Sequence, residues 1–181
     1  MLNAVVIGLR YHVEGYAAAL ELYRFGKSRP AIVDRLLARD WQWIAIHEAA
    51  MRVWFLRDAM EIARKTWIRQ CEPVAEHVDE PAMESALRLF DTHFPDFRKM
   101  RNAIAHAPGI ESSNLKAWLK DDLFGVSKLN DDDRFELIND GVRYSMDMTD
   151  ATLDKLVQVV RAFWSAFESV EHAFDTRGRS E

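Results

Sequence analysis

Apolar residues recur along this chain at helical spacing and in long runs. Residues 2 to about 25 are mostly apolar, interrupted by Arg10, Glu14, Glu21 and Arg24, a pattern that predicts a first helix. Gly26 and the Lys-Ser-Arg-Pro stretch after it are expected to end that helix, and Pro30 suits the first turn of the next. From Ala31 to about Gln70 no Gly or Pro occurs, which predicts a long second helix in which Asp40 either caps a fresh start or marks a bend. Its apolar face runs through Trp43, Ile46, Ala50, Val53, Met60 and Trp67, and Ile44, Met51, Phe55 and Ile62 widen it. A face this broad belongs at the centre of the fold or in a dimer.

Pro73 and the acidic residues up to Pro81 read as a connection, followed by a third helix over about 82–92. Pro95 is placed in the first turn of a fourth helix running to about Ala107. Pro108 ends it, because proline pushes the preceding residue out of the helical region. Residues 109–133 carry the weakest pattern and read as a loop with a short helix near 115–124. Alternating residues flank Asn139-Asp140-Gly141, the signature of a β-hairpin over about 134–146. Thr149 then caps a last amphipathic helix, and residues 176–181 form a loose tail. The expected architecture is all-α: a bundle of about five helices in a single domain over 1–175, with a small hairpin before the last helix.

Composition agrees with a packed helical domain. Of 181 residues 49% are hydrophobic, with ten Phe and six Trp, whereas Gly (seven) and Pro (five) are too scarce for a turn-rich β protein. The single cysteine, Cys71, leaves no partner for an intrachain disulfide and no multi-cysteine zinc site; a structural thiol is the expectation. No basic-apolar leader and no spanning apolar run is seen, so a cytoplasmic protein without membrane association is expected. The net charge of −5 hides an asymmetry: residues 24–69 hold ten Lys/Arg against five Asp/Glu, so that stretch carries +5 and the remainder −10. Such a stretch is expected either to form a basic, phosphate-binding surface beside the cations of residues 98–101 or to be ordinary solvated helix faces.

Most catalytic signatures are missing. His47-Glu48 begins like a zinc-protease helix, but Met51 stands where the second histidine belongs, so His47 reads as a histidine on a packed helix. His77 and Asp79 alone do not make a metal site, and no phosphate-cradling Gly-rich loop or nucleophile elbow occurs. No cofactor is expected.

What remains is Arg-Lys-Met-Arg-Asn-Ala-Ile-Ala-His-Ala-Pro-Gly, residues 98–109. His106 has the side chain whose ordinary pKa of about 6.5 suits proton transfer near neutral pH. Arg101 offers a permanent charge in a fork that matches phosphate oxygens, and Asn102 can orient either by hydrogen bond. Arg98 and Lys99 add positive charge for binding phosphates. At about 100° per residue, Arg101 and His106 lie roughly 140° apart around a regular helix, whereas Asn102 and His106 share a face. Either the helix end unwinds at His106, or one protomer's histidine works with its partner's arginine. The bland alternative is capping by His106 and an ion pair from Arg101 to Asp96 or Glu84. A second Arg-x4-His, Arg88 to His93, lacks the adjacent Asn and is taken as coincidence.

The Arg101–His106 hexamer, on a late helix of an all-α domain, resembles the RNase members of the HEPN family (higher eukaryotes and prokaryotes nucleotide-binding domain). These carry Arg-x4–6-His, often with Asn, Asp or His directly after the Arg. The hairpin before the last helix is an embellishment on that pattern. The resemblance implies a homodimer with two facing motifs and metal-independent cleavage of RNA, with Arg101, Asn102 and His106 as catalytic residues. It also implies a toxin or defence effector held by an antitoxin or other regulatory partner. The alternatives are a catalytically idle HEPN-like module for dimerisation and partner binding, or a helical small-molecule sensor walled by the Trp-rich helix.

Overall fold

The computed structural model describes residues 2–28, 35–105, 127–129, 132–139 and 142–177. Among them lie seven α-helices: α1 (Leu2–Ser28), α2 (Arg35–Ile62), α3 (Glu72–Ala75), α4 (Glu80–His93), α5 (Phe97–Ala105), α6 (Asp150–Ser165) and α7 (Glu168–Arg177). One antiparallel sheet, in the order β1 (Ser127–Leu129), β2 (Arg134–Asn139), β3 (Val142–Asp147), precedes α6. The all-α class with a hairpin ahead of the final helical segment is therefore as expected. The chain divides into two compact units, one of Met1–Glu14, Phe55–Pro95 and Leu153–Glu181, the other of Gly15–Trp54 and Asp96–Thr152.

In the first unit Val5 and Leu9 of α1, Leu56 and Met60 of α2, Met83, Leu87 and Phe90 of α4 and Leu156 and Phe163 of α6 are buried, at the three- and four-residue spacing that puts apolar side chains on one helix face. The second helix does not run to Gln70. After Ile62 the chain widens into a π-helical segment, Ala63–Trp67, closed by the Ile68 N–H on the Ala63 carbonyl at 3.0 Å, a bond five residues long. The stretch read as a connection contains the short α3, and Asp79 caps α4 by accepting from the Ala82 N–H at 2.9 Å. The last helix is broken where sequence periodicity continues. The Ala166 carbonyl accepts from the Asp79 N–H at 2.9 Å, and the Phe167 N–H turns back to Trp164, so the chain restarts at Glu168 as α7.

An ion-pair network ties α2 to α4 in this unit. Arg57 bridges Glu61 and Asp91, Arg64 bridges Glu61 and Glu84, and Lys65 adds to Glu61. Burial favours the neutral acid, but the hydrogen bonds from Lys65 and Arg57 and the charges of Arg57 and Arg64 outweigh it and hold the Glu61 carboxyl at about 2. A depressed carboxyl stabilises the fold above its unfolded value and loses that contribution as pH falls through the folded value. Glu61→Gln should thus lower stability at pH 7 by about 1.5–3 kcal/mol, and the gap to wild type should close between pH 4.5 and about 2. Thermal denaturation of both proteins at pH 7 and pH 3 checks this; a gap that is the same at both values would contradict it.

In the second unit the hairpin is β2 with β3. Phe135 faces Met146, Leu137 faces Tyr144, and the ladder ends at Asn139 and Val142; Asp140 and Gly141 lie outside the described residues. β1, not foreseen, pairs with β2, with Leu129 opposite Phe135. Trp43 of α2 meets the Phe135 ring edge-on at 5.5 Å. Helix α1 continues through Gly26 to Ser28, and its last turns anchor the sheet: the Tyr23 hydroxyl and Lys27 ammonium both donate to Asp133 Oδ1. Asp133 has φ 62°, in the left-handed region that Asp tolerates better than most residues, and its carbonyl accepts from Met148 N–H at 2.8 Å. A Cβ at Gly15 would fall 2.6 Å from Arg52 Nε, so a larger residue there would push the arginine side chain aside. Asp40 neither caps nor breaks α2, which runs straight through it, whereas Thr149 caps α6 through the Thr152 N–H, as predicted. Helix α5 packs on β2 and β3, which fixes its orientation in the unit.

Candidate phosphate-binding site

Helix α5 begins after Pro95-Asp96, with the Met100 N–H on the Asp96 carbonyl at 2.8 Å, so the proline lies just before the helix, not in it. Met100, Ala103 and Ile104 are buried, three and four residues apart, and dock the helix in its unit. That docking leaves Arg98, Lys99 and Asn102 exposed and Arg101 at the boundary of the buried face. Arg98 lies over the ring of its neighbour Phe97 at 5.6 Å, and Lys99 over Tyr144 of β3 at 5.8 Å. Among the described residues Lys99 forms one ion pair, to Asp96 at a loose 3.9 Å.

Arg101 is held in an unusual way. Its guanidinium carbon lies 4.6 Å from the centroid of Trp54 on α2, and its Nη1 donates to Asn102 Oδ1 at 3.0 Å. Its Nε is buried with no hydrogen-bond partner, and no carboxylate of the described residues pairs with it. The ion pair to Asp96 that would have made Arg101 a structural residue is not formed, and within its own unit Glu84 is engaged by Arg64 and Arg88. Arg101 and Asn102, neighbours in the chain, are joined by the hydrogen bond from Nη1 to Oδ1. Because Asn102 spends its acceptor on the arginine, its amide N–H₂ is the end left for a ligand oxygen. His106 lies outside the described residues. Sequence reasoning missed Trp54 altogether, since nothing in the pattern around it connects it to a helix so much later in the chain.

The second Arg-x4-His is satisfied locally. Arg88 donates to Ser85 Oγ at 3.0 Å and pairs with Glu84, and His93 Nε2 is 3.2 Å from Gln158 Oε1. His47 makes an edge contact with Trp43 at 6.3 Å, and partial burial lowers its pKa. Asp79 serves as a helix cap, and among the described residues no group of three or more His, Cys, Asp or Glu is placed to hold a metal ion.

Among the described residues, many cations of the basic stretch have acidic partners. Arg24 pairs with Glu21 and Asp150, Lys27 with Asp133, Arg52 with Glu48, and Arg69 with Glu80, besides the Glu61 network. Acids from outside the stretch thus meet several of its described cations, whereas on α5 the exposed Arg98 and Lys99 have, among the described residues, only the loose Lys99–Asp96 ion pair. No described helix is long and apolar enough to cross a membrane. No protein-family model, no curated protein and no solved structure matches the chain.

Proposed function

We propose that the chain is a HEPN-like ribonuclease that cuts RNA without a metal, acting through Arg101, Asn102 and His106, with Arg98 and Lys99 binding flanking phosphates. The observation that carries this reading is the state of Arg101, a cation fixed by an indole face and an amide and left unneutralised by any described carboxylate. An arginine so held is suited to a phosphoryl group, whose charge grows as the 2′-oxygen attacks phosphorus. In the proposed reaction a base takes the 2′-hydroxyl proton, the new P–O bond closes a 2′,3′-cyclic phosphate, and a proton is delivered to the departing 5′-oxygen. His106 supplies one of those transfers. The test is cleavage of a single-stranded RNA in EDTA, with loss of activity on changing His106 or Arg101 and resistance of a substrate that is 2′-deoxy at the cut site.

A second observation favours a dimer, and with it the alternative of a catalytically idle dimerisation or partner-binding module. Ile46, Ala50, Val53 and Met60 of α2 are buried, yet Ile44, Phe55 and Ile62 stay 57%, 39% and 37% exposed. Phe55 and Ile62, seven residues apart in the first unit, lie within about 20° of one another around the helix. A stripe of that kind seeks a partner surface. Light scattering at micromolar concentration should give about twice the 21.0 kDa chain mass; the monomer mass would remove the dimer from the reading. A dimer that leaves RNA intact would favour the idle module.

A further inference from the structure

We infer that Trp54 is the positioning residue of the α5 site: it fixes the Arg101 guanidinium for an oxyanion while leaving its charge unspent. The inference rests on the reading of Arg101 as a phosphate clamp. An arginine can be immobilised by a carboxylate or by an aromatic face, and the two have opposite consequences. A carboxylate consumes the in-plane N–H donors and cancels the charge that a phosphate needs. An aromatic face attracts the cation through the ring quadrupole and takes no donor. Here the guanidinium carbon is 4.6 Å from the Trp54 centroid, and the one described hydrogen bond is to the neutral Asn102.

The distribution of donors then indicates how an anion would be met. Nε is buried and without an acceptor, so its edge is closed to a ligand in this arrangement. Nη1 gives one hydrogen to Asn102, and Nη2 makes no hydrogen bond to a described residue. A phosphate oxygen is therefore expected end-on at the Nη1/Nη2 edge, beside the amide of Asn102. A desolvated N–H with no acceptor is costly, and such groups persist where function requires them. The Trp54 ring lies beside the same guanidinium, its centroid 4.6 Å from the guanidinium carbon.

The test separates Trp54 from the cleavage reaction. In wild type, the Arg101 Nε–H resonance in a ¹H–¹⁵N spectrum should be displaced by the indole ring current and exchange slowly with water. Trp54→Phe keeps a π face and should preserve binding of inorganic phosphate and of a short single-stranded RNA within a few-fold. Trp54→Met fills much of the volume without a π face and should weaken both by about threefold to thirtyfold, raising KM for any cleavage observed. An unshifted, fast-exchanging Arg101 Nε–H in wild type would overturn the inference whether or not the variants fold. So would a folded Trp54→Met protein that binds phosphate as wild type does. Absence of RNA cleavage with the displaced resonance and phosphate binding intact would sink the ribonuclease reading and leave the role of Trp54 standing.

Discussion

His106→Ala and Arg101→Ala are each expected to lower the rate of RNA cleavage by about 10²–10⁴-fold, with EDTA changing neither wild type nor variant. The histidine change removes a proton-transfer group; the arginine change removes the charge that meets the phosphorane. Arg101→Lys should recover little, because a lysine ammonium has neither the planar fork nor the flat cation that lies on Trp54 at 4.6 Å. Asn102→Ala should cost less than either, but more than an orienting residue remote from the clamp, since its Oδ1 holds Arg101 Nη1. Arg88→Ala and His93→Ala are the controls at the same spacing. Their partners, Ser85, Glu84 and Gln158, account for them without any ligand, so cleavage should persist in both. Folded His106 and Arg101 variants that cut RNA as fast as wild type would end the catalytic reading.

Much of this arrangement was legible in the sequence because it rests on periodicity and local chemistry. Asn139-Asp140-Gly141 announces the hairpin that β2 and β3 form. Thr149 announces the start of α6. The misses share a cause, which is dependence on partners distant in sequence. Ser127–Leu129 is too short to show a two-residue alternation and becomes a strand only against β2. The break at Ala166 follows from a carbonyl claimed by Asp79, and the π-helical segment after Ile62 leaves no mark in the apolar spacing. At the candidate site, Arg101 and Asn102 were singled out by the Arg-x4-His pattern with its adjacent Asn, whereas Trp54 needed the packing of α5 in its unit to become visible. The charge of residues 24–69 depends on distant partners in the same way: acids that pair with its described cations, Glu80, Glu84, Asp91 and Asp133 among them, come from outside the stretch.

Phe135→Ala should be among the most damaging substitutions outside the site, costing about 3–5 kcal/mol as the lost transfer energy of a large aromatic combines with the cavity left behind. The side chain is 1% exposed, takes the edge of Trp43 at 5.5 Å, and stands opposite Met146 on one side and Leu129 on the other. Little around it can collapse to fill the space, because Trp43 is fixed on α2 and both neighbouring strands are held by the ladder. For a chain of this size each kcal/mol moves the melting temperature by about 2–4 °C, so a fall of roughly 6–20 °C is expected. Val142→Ala, at a position 48% exposed, should change stability by less than about 0.5 kcal/mol. The comparison also tests register. A slip of one residue in β2 would exchange the two faces of the strand, turning Phe135 outward and Glu136 inward. If Phe135→Ala melts with wild type while Glu136→Ala does not, the pairing of Phe135 with Met146 is wrong. The seat of α5 on β2 and β3, on which the placement of Arg101 depends, would then be wrong with it.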